Sequence, residues 1–277
     1  MITVRQSAIS AFIRYCPLQA QHQYSLGVAP LEGPTNIELA LGTATHLALA
    51  SAYGADVAGE DKWPVQDIVD RFIEAYDGKE VAPGEQPTTD IDYKGESPGK
   101  YRTDGIAMVQ AYYQTYLKTQ AKLVEHPLEK DYLVEHGGVD LREDHMRVTT
   151  RLDLVTANNW IIDLKTSAVG TRRNGSEYFY AYSEGAVQWL PQPFIHLALH
   201  GKARPYAFDV LGKGRTPLVE RVPVVHSQEQ VDTWEQKVLL PAIAQIARGD
   251  FPARPGSHCS WCPLAHRTEC GMLGVTT

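Results

Sequence analysis

Apolar and polar residues alternate through residues 146–165, MRVTTRLDLVTANNWIIDLK, with an Asn-containing break at 157–159. Period-two alternation on both sides of a short turn predicts a β-hairpin. With the loop at 157–159, Thr156 faces Trp160 and Asp153 falls directly opposite Asp163. Leu152, Leu154, Ile162 and Leu164 then share one face, the expected core face, while Arg151, Asp153, Asp163 and Lys165 share the other. Directly opposed side chains have Cβ atoms about 4.5–5.5 Å apart, and like charges there repel. Two carboxylates at that spacing need a cation between them, and a divalent metal is the economical one. The competing expectation is a solvated hairpin neutralised by Arg151 and Lys165.

Elsewhere the period is mostly helical. Residues 4–24 predict a helix meeting Cys16-Pro17, with Ser7 as its N-cap. Residues 36–53 predict a second, with Leu39, Gly42, His46, Leu49 and Tyr53 on one stripe. His46 is polar on that stripe, so it is either a satisfied core histidine or part of a site wall, and Gly42 would admit another backbone closely. A short helix at 65–76 lies between Gly-, Pro- and acid-rich stretches, which makes 54–100 a peripheral excursion. Residues 104–122 predict an amphipathic helix. Its Tyr112, Tyr113 and Tyr116 suit packing first and base stacking second. A strand is expected at 132–135, turned at Gly137-Gly138, and a polar loop at 166–183 holding Arg172, Arg173, Tyr178, Phe179 and Tyr180. A helix at 192–200, strands at 206–211 and 218–225, and a helix at 228–248 complete the pattern.

Composition narrows the class without naming a function. The 277 residues are 43% hydrophobic and 21% charged, ordinary for a soluble globular protein. No apolar run approaches the ~20 residues of a membrane span, and no secretory signal is visible at the start, so a cytoplasmic location is expected. A net charge of −7 argues against a uniformly basic nucleic-acid-binding surface. Small basic clusters (Lys100 with Arg102, Arg172-Arg173, Lys202 with Arg204, Lys213 with Arg215) leave room for a local lining.

The cysteines change the picture more. Cys259, Cys262 and Cys270 form C-x2-C-x7-C near one end of the chain, and Cys16 lies near the other. In a cytosolic protein such thiols point to metal rather than disulfides. Four thiolates suit structural zinc or an iron–sulfur cluster. One pair plus two single cysteines, rather than two C-x-x-C knuckles, favours a [4Fe–4S] cluster, while His258 and His266 keep zinc as the alternative. Ligation by Cys16 would clasp the two ends of the chain together, a structural role in which binding energy is folding energy.

Taken together, His46, Glu135, Asp153, Asp163-Leu164-Lys165 and the four cysteines resemble the PD-(D/E)XK nuclease superfamily, and within it the RecB-type and Cas4-like iron–sulfur exonucleases. The resemblance is strongest over TRLDLVTANNWIIDLKTS, and it extends to GTATH at 42–46 and to FPARPGSHCSWCPLAHRTEC. It implies one nuclease domain over 1–277, an α/β core of mixed sheet flanked by helices, closed by the cysteine-rich segment 251–277. It implies that His46, Asp153, Asp163 and the Leu164 carbonyl bind Mg²⁺ or Mn²⁺, and that Lys165 orients or activates the attacking water. Glu135 matches the family's first-strand glutamate. The family's Gln-x-x-x-Tyr is matched only by Gln192 with His196 in the tyrosine position. This leaves Gln192 to position substrate or water. The implied activity is metal-dependent DNA exonuclease action on single strands or free ends, in recombination, repair or phage DNA processing. A CRISPR-adaptation nuclease with protein partners and a non-catalytic nucleic-acid-binding assembly protein are the alternatives.

Overall fold

The hairpin forms in the register that the alternation predicts. In the computed structural model the pairs Leu154–Ile162 and Val155–Ile161 leave Asp153 next in line opposite Asp163. The Thr156 N–H closes the turn on the Trp160 carbonyl at 2.9 Å, and Asn159 takes a left-handed φ of 64°. The structure describes residues 2–24, 26–28, 35–78, 91–116, 119–135, 143–171, 177–179, 181–213, 217–262, 264 and 270. Gly137-Gly138, Arg172-Arg173, Tyr180, Arg215 and His266 lie outside the described residues.

A short strand, β1 (Ile2–Arg5), runs directly into α1 (Gln6–Arg14), and α2 (Pro17–Gln23) begins at a proline that needs no N–H there. Helix α3 (Ile37–Ala58) starts at Asn36, whose side chain accepts from the Glu38 N–H at 2.8 Å, and stops at Gly59 with φ 75°. Helices α4 (Val65–Tyr76) and α5 (Pro98–Tyr116) follow. Then come β2 (Ala121–Glu135), β3 (Glu143–Thr156), β4 (Ile161–Ala168), α6 (Pro191–His200), β5 (Tyr206–Lys213) and β6 (Leu218–Val224). Helices α7 (Gln228–Trp234) and α8 (Leu240–Ala247) are joined by a π-helical turn.

The six strands make one mixed sheet in the order β1-β3-β4-β5-β6, with β2 also on β3. Because β2 accompanies β3 along its whole length, β1 and β4 must share the opposite edge. There β1 pairs in parallel with residues 146–149 and β4 in antiparallel fashion with 154–155. Among the described residues no strand pairs with residues 150–153 on that edge. The sheet is forked at this gap, and β4 continues beside β5 instead.

Helices cover both faces. Helices α1, α6 and α8 pack over one, around Ile9, Phe12, Leu197, Phe208 and Ile243. Helices α3, α4 and α5 pack over the other, around Leu49, Phe72, Met108, Ile162 and Leu164. This is the α/β sheet-and-helix architecture expected. The face that carries Asp153 and Asp163 also holds Val155 and Ile161, at 3% and 0% exposure, so it is no solvated surface.

Several local expectations change. Leu152 packs with the α1 and α6 side while Leu154 packs under α3, so the strict alternation slips between them. The slip coincides with Glu125 of β2, across from Asp153, which has φ 49°. Strand β2 starts at Ala121 and not at 132, and the preceding helix ends at Tyr116, short of 122. Pro127 disguised this strand, and an edge strand tolerates it. Ser7 is not the N-cap of α1; Arg5 is, without a side-chain bond. Leu39 is 65% exposed and not on the packed stripe.

Tyr112 is buried and unavailable for stacking on bases. Its hydroxyl donates to Asp209 Oδ2 at 2.8 Å, and Arg221 grips the same carboxylate through Nε at 2.6 Å and Nη2 at 2.7 Å. Asp209 has 0% exposure. Removing the guanidinium leaves a buried charge without its partner, which costs about 3–5 kcal/mol. Arg221→Met is therefore expected to lower the urea-unfolding free energy by about that amount. A loss below about 1 kcal/mol would show that the pair matters no more than an exposed one.

Candidate active site

The fork in the sheet supplies the site. Where β3 leaves β4, the Leu164 N–H has no backbone acceptor there, and the Asp153 side chain takes its place, Oδ2 accepting at 2.7 Å. In an extended strand the N–H and C=O of one residue point to the same side, so the Leu164 carbonyl also faces the gap. Asp163, the next residue back, is 2% exposed. Its Oδ1 accepts from Gln192 Nε2 of α6 at 2.6 Å, and its Oδ2 pairs with the Lys165 ammonium. That Oδ2 is buried and has no hydrogen bond of good geometry.

His46 arrives from α3, with Nδ1 3.7 Å from Asp153 Oδ2. Gly42, one turn earlier, lets α3 lie close on β4. A Cβ there would come within 3.1 Å of Thr166 Oγ1. The structure thus brings together His46, Asp153, Asp163, Leu164, Lys165 and Gln192 from α3, β3, β4 and α6.

Glu135 is not among them. It closes the far end of β2, paired with Glu143, whereas Asp153 lies across from Glu125. Ten residues separate 125 from 135, roughly 30 Å of strand. Glu125 is the acidic residue at the site, with Oε2 3.3 Å from Arg151 Nη1. Sequence reasoning missed it because Pro127 hid the start of β2. The usable signal was Leu123-Val124 followed by Leu128, Tyr132 and Val134, apolar positions that continue the strand upstream.

Among the described residues, two openings reach the carboxylates. A groove of about 1030 Å³ runs along α3 past Leu39, Gly42 and His46 to Asp153 and Lys165. A second, of about 540 Å³, opens between the start of α1 and β3 and reaches Asp163 and Gln192.

A sequence model of the PD-(D/E)XK nuclease superfamily matches residues 5–267. The chain belongs to this superfamily. It is a nuclease, a hydrolase of phosphodiester bonds. A solved structure described as a "putative exonuclease", from Eubacterium rectale, is similar at 12% identity and TM-score 0.48, over 93% of this chain and 86% of that one. The structure of SSO0001 is similar at 11% identity and TM-score 0.33, over 90% and 92%. No curated protein matches the chain.

The electrostatics of this nuclease site follow from burial. Burial lifts the Asp163 carboxyl to about 6; Lys165 opposes the rise and Asp153 adds to it. Asp153 is raised for the same first reason, with Lys165 and the Leu164 N–H acting against it. Burial lifts Glu125 to about 7, helped by Asp153. His46 is lowered to about 4, by burial and then by Lys165, so its imidazole is neutral at pH 7. Burial alone would lower the Lys165 ammonium, but Asp163 and Asp153 hold it above its usual range.

Superfamily nucleases generally use divalent metals such as Mg²⁺ or Mn²⁺. Among the described residues no three His, Cys, Asp or Glu side chains are drawn close enough together to grip an ion. The donors still suit a hard divalent ion in kind: a neutral imidazole and two crowded carboxylates, one of them with a buried oxygen whose partner is the Lys165 ammonium.

The cysteines lie at a second locus. Cys16 is the N-cap of α2 and 5% exposed. Its Sγ accepts from the Arg254 N–H at 3.3 Å, and the Arg254 guanidinium donates to the Ile13 carbonyl at 3.0 Å, so the segments around Cys16 and Arg254 meet here. Cys259 Sγ accepts from the Gly256 N–H at 3.4 Å. Burial raises the Cys262 thiol, and Cys16, Cys270 and Cys259 add to the rise.

A carboxyl raised on folding stabilises the folded state below its unfolded pKa, and that contribution is lost as pH rises through the folded value. For Asp163 the window runs from the ordinary carboxylate range to about 6. Asp153→Asn keeps an acceptor for Leu164 but removes one charge. In EDTA it should raise the thermal midpoint at pH 7.5 by a few degrees, roughly 2–4 °C per kcal/mol. At pH 4 it should change little. An unchanged midpoint at both pH values would show that the opposed charges cost the fold nothing.

Proposed function

We propose that the protein is a Mg²⁺- or Mn²⁺-dependent DNA exonuclease with a [4Fe–4S] cluster at Cys16, Cys259, Cys262 and Cys270. The observation that carries the reading is the fork at β3 and β4. It buries Asp163 between Lys165 and Gln192 and sets Asp153 opposite, with His46 overhead.

His46, Asp153, Asp163 and the Leu164 carbonyl are the proposed metal ligands. A bound divalent ion supplies Lewis acidity towards the phosphate and a more acidic water. The neutral imidazole of His46 has a lone pair to offer without prior loss of a proton. Lys165 keeps its proton beside Asp163, so its role is to orient the water by donation and to offset charge developing on the phosphate. Gln192 fixes the Asp163 carboxylate in rotation. Glu125 takes the acidic place first assigned to Glu135, and at about 7 it is poised to exchange a proton near neutral pH.

An exonuclease is favoured over an enzyme that cuts within a long duplex because the carboxylates are recessed. Asp163, at 2% exposure, lines the opening beside α1, and Asp153 lines both that opening and the groove along α3; a recessed pair of carboxylates suits a strand end. Single strands or frayed ends are the proposed substrates, in recombination, repair or phage DNA processing. For the cluster, the cysteine spacing, the electrostatic influence of Cys16, Cys270 and Cys259 on Cys262 and N–H donors to two of the sulfurs are the supporting observations.

End-labelled DNA with Mg²⁺ or Mn²⁺ should be digested progressively from its termini, and Asp163→Ala and Lys165→Ala should each abolish digestion while remaining folded. Absence of cleavage with either metal in the intact protein would falsify the reading. Anaerobic purification should give a brown protein with broad absorption near the visible region, and Cys16→Ala should lose both the colour and thermal stability. A colourless protein containing zinc would replace the cluster with the alternative metal.

A further inference from the structure

One buried group has no part in the chemistry above. His196 is completely buried, one turn after Gln192 on α6. Both ring nitrogens are occupied: Nε2 lies 2.9 Å from the Thr150 hydroxyl of β3, and Nδ1 lies 3.1 Å from the Tyr206 hydroxyl of β5. A neutral imidazole has one donor and one acceptor nitrogen, and either tautomer satisfies both bonds because each hydroxyl can give or accept. Burial lowers the ring to about 3, so it stays neutral.

Thr150 is the informative partner. It lies at the start of the 150–153 gap, where β3 has lost β1 and has not yet met β4. Over this stretch β3 is paired only on its other edge, with β2, and nothing in the ladder holds it on the side of the fork. His196 supplies a side-chain bond there and ties the same helix to β5, two strands away across the fork.

We propose that His196 is a positioning residue for the nuclease reaction. It locks α6 against β3 and β5, so that Gln192 meets Asp163 in one orientation. Simple filling of the core would need neither hydrogen bond. The position takes a ring that can bond at both ends, and a tyrosine offers only one such end. The inference rests on the nuclease reading for its catalytic readout but not for its binding readout.

The test is a double-mutant cycle on the full-length protein, with His196→Phe, His196→Gln and Thr150→Val in the native and Gln192→Ala backgrounds. Turnover, KM, thermal midpoint and Mn²⁺ affinity by calorimetry are measured for each. His196→Phe and Thr150→Val should lower kcat about 10–100-fold, as loss of an outer hydrogen-bond partner does. KM should be unchanged, Mn²⁺ binding should weaken, and His196→Gln, which can still bond at both ends, should recover part of the loss. In the Gln192→Ala background the same substitutions should have little further effect, because coupled residues are not additive. A full-size loss persisting without Gln192, or native kcat and Mn²⁺ affinity in Thr150→Val, overturns the proposal. If His196→Phe does not fold, His196→Gln and Thr150→Val decide by the same criteria. If the native protein binds Mn²⁺ but cuts no DNA, the nuclease reading fails while the Mn²⁺ cycle still decides the role of His196.

Discussion

The structure turns on one hydrogen bond, from the Leu164 N–H to the Asp153 carboxylate. A strand that parts from its neighbour leaves backbone donors exposed, and in an interior such donors must find acceptors. Here an acidic side chain is that acceptor. The strands can therefore diverge without an unsatisfied amide, and the cleft they open is lined from the start with a carboxylate. Asp163, Lys165 and Gln192 gather in the same cleft because it is the place between β3 and β4 where side chains replace the ladder.

Such an arrangement strains the fold locally. Two largely buried carboxylates face each other, and an ammonium offsets only part of their repulsion. Glu125, across the edge, takes a φ of 49° that few residues adopt without cause. The rest of the sheet is built more conventionally. On the α3 and α5 side the polar centre is Asp209, held by a bidentate arginine and a tyrosine, with every strong acceptor occupied. The contrast is between a carboxylate fully enclosed by hydrogen bonds and a pair held against each other with a single ammonium between them and solvent.

Much of the site was legible because it is local. Asp153, Asp163 and Lys165 lie on a hairpin whose register follows from a period of two and a short turn, so their mutual placement needed no long-range information. His46 was legible as a polar break in an apolar stripe, although the helix turned out to expose Leu39 and bury Leu41 and Thr45 instead. Glu135 was misplaced for a physical reason. Strand β2 runs antiparallel to β3, so its residue beside Asp153 is set by counting back through the whole pair, and the start of that strand was concealed by Pro127. The slip between Leu152 and Leu154 is likewise invisible to alternation, which assumes a regular pleat.

By itself the chain determined the hairpin, its opposed carboxylates, the helical periodicities and the cysteine spacing, since all of these depend on neighbours a few residues apart. Only the tertiary structure decided that β1 and β4 divide one edge of β3, that Glu125 and not Glu135 stands at the gap, and that His196 reaches both Thr150 and Tyr206. Those relations depend on which strands meet across the sheet and on which helix covers them. That choice is made by burying both faces at once, and no local pattern in the sequence encodes it.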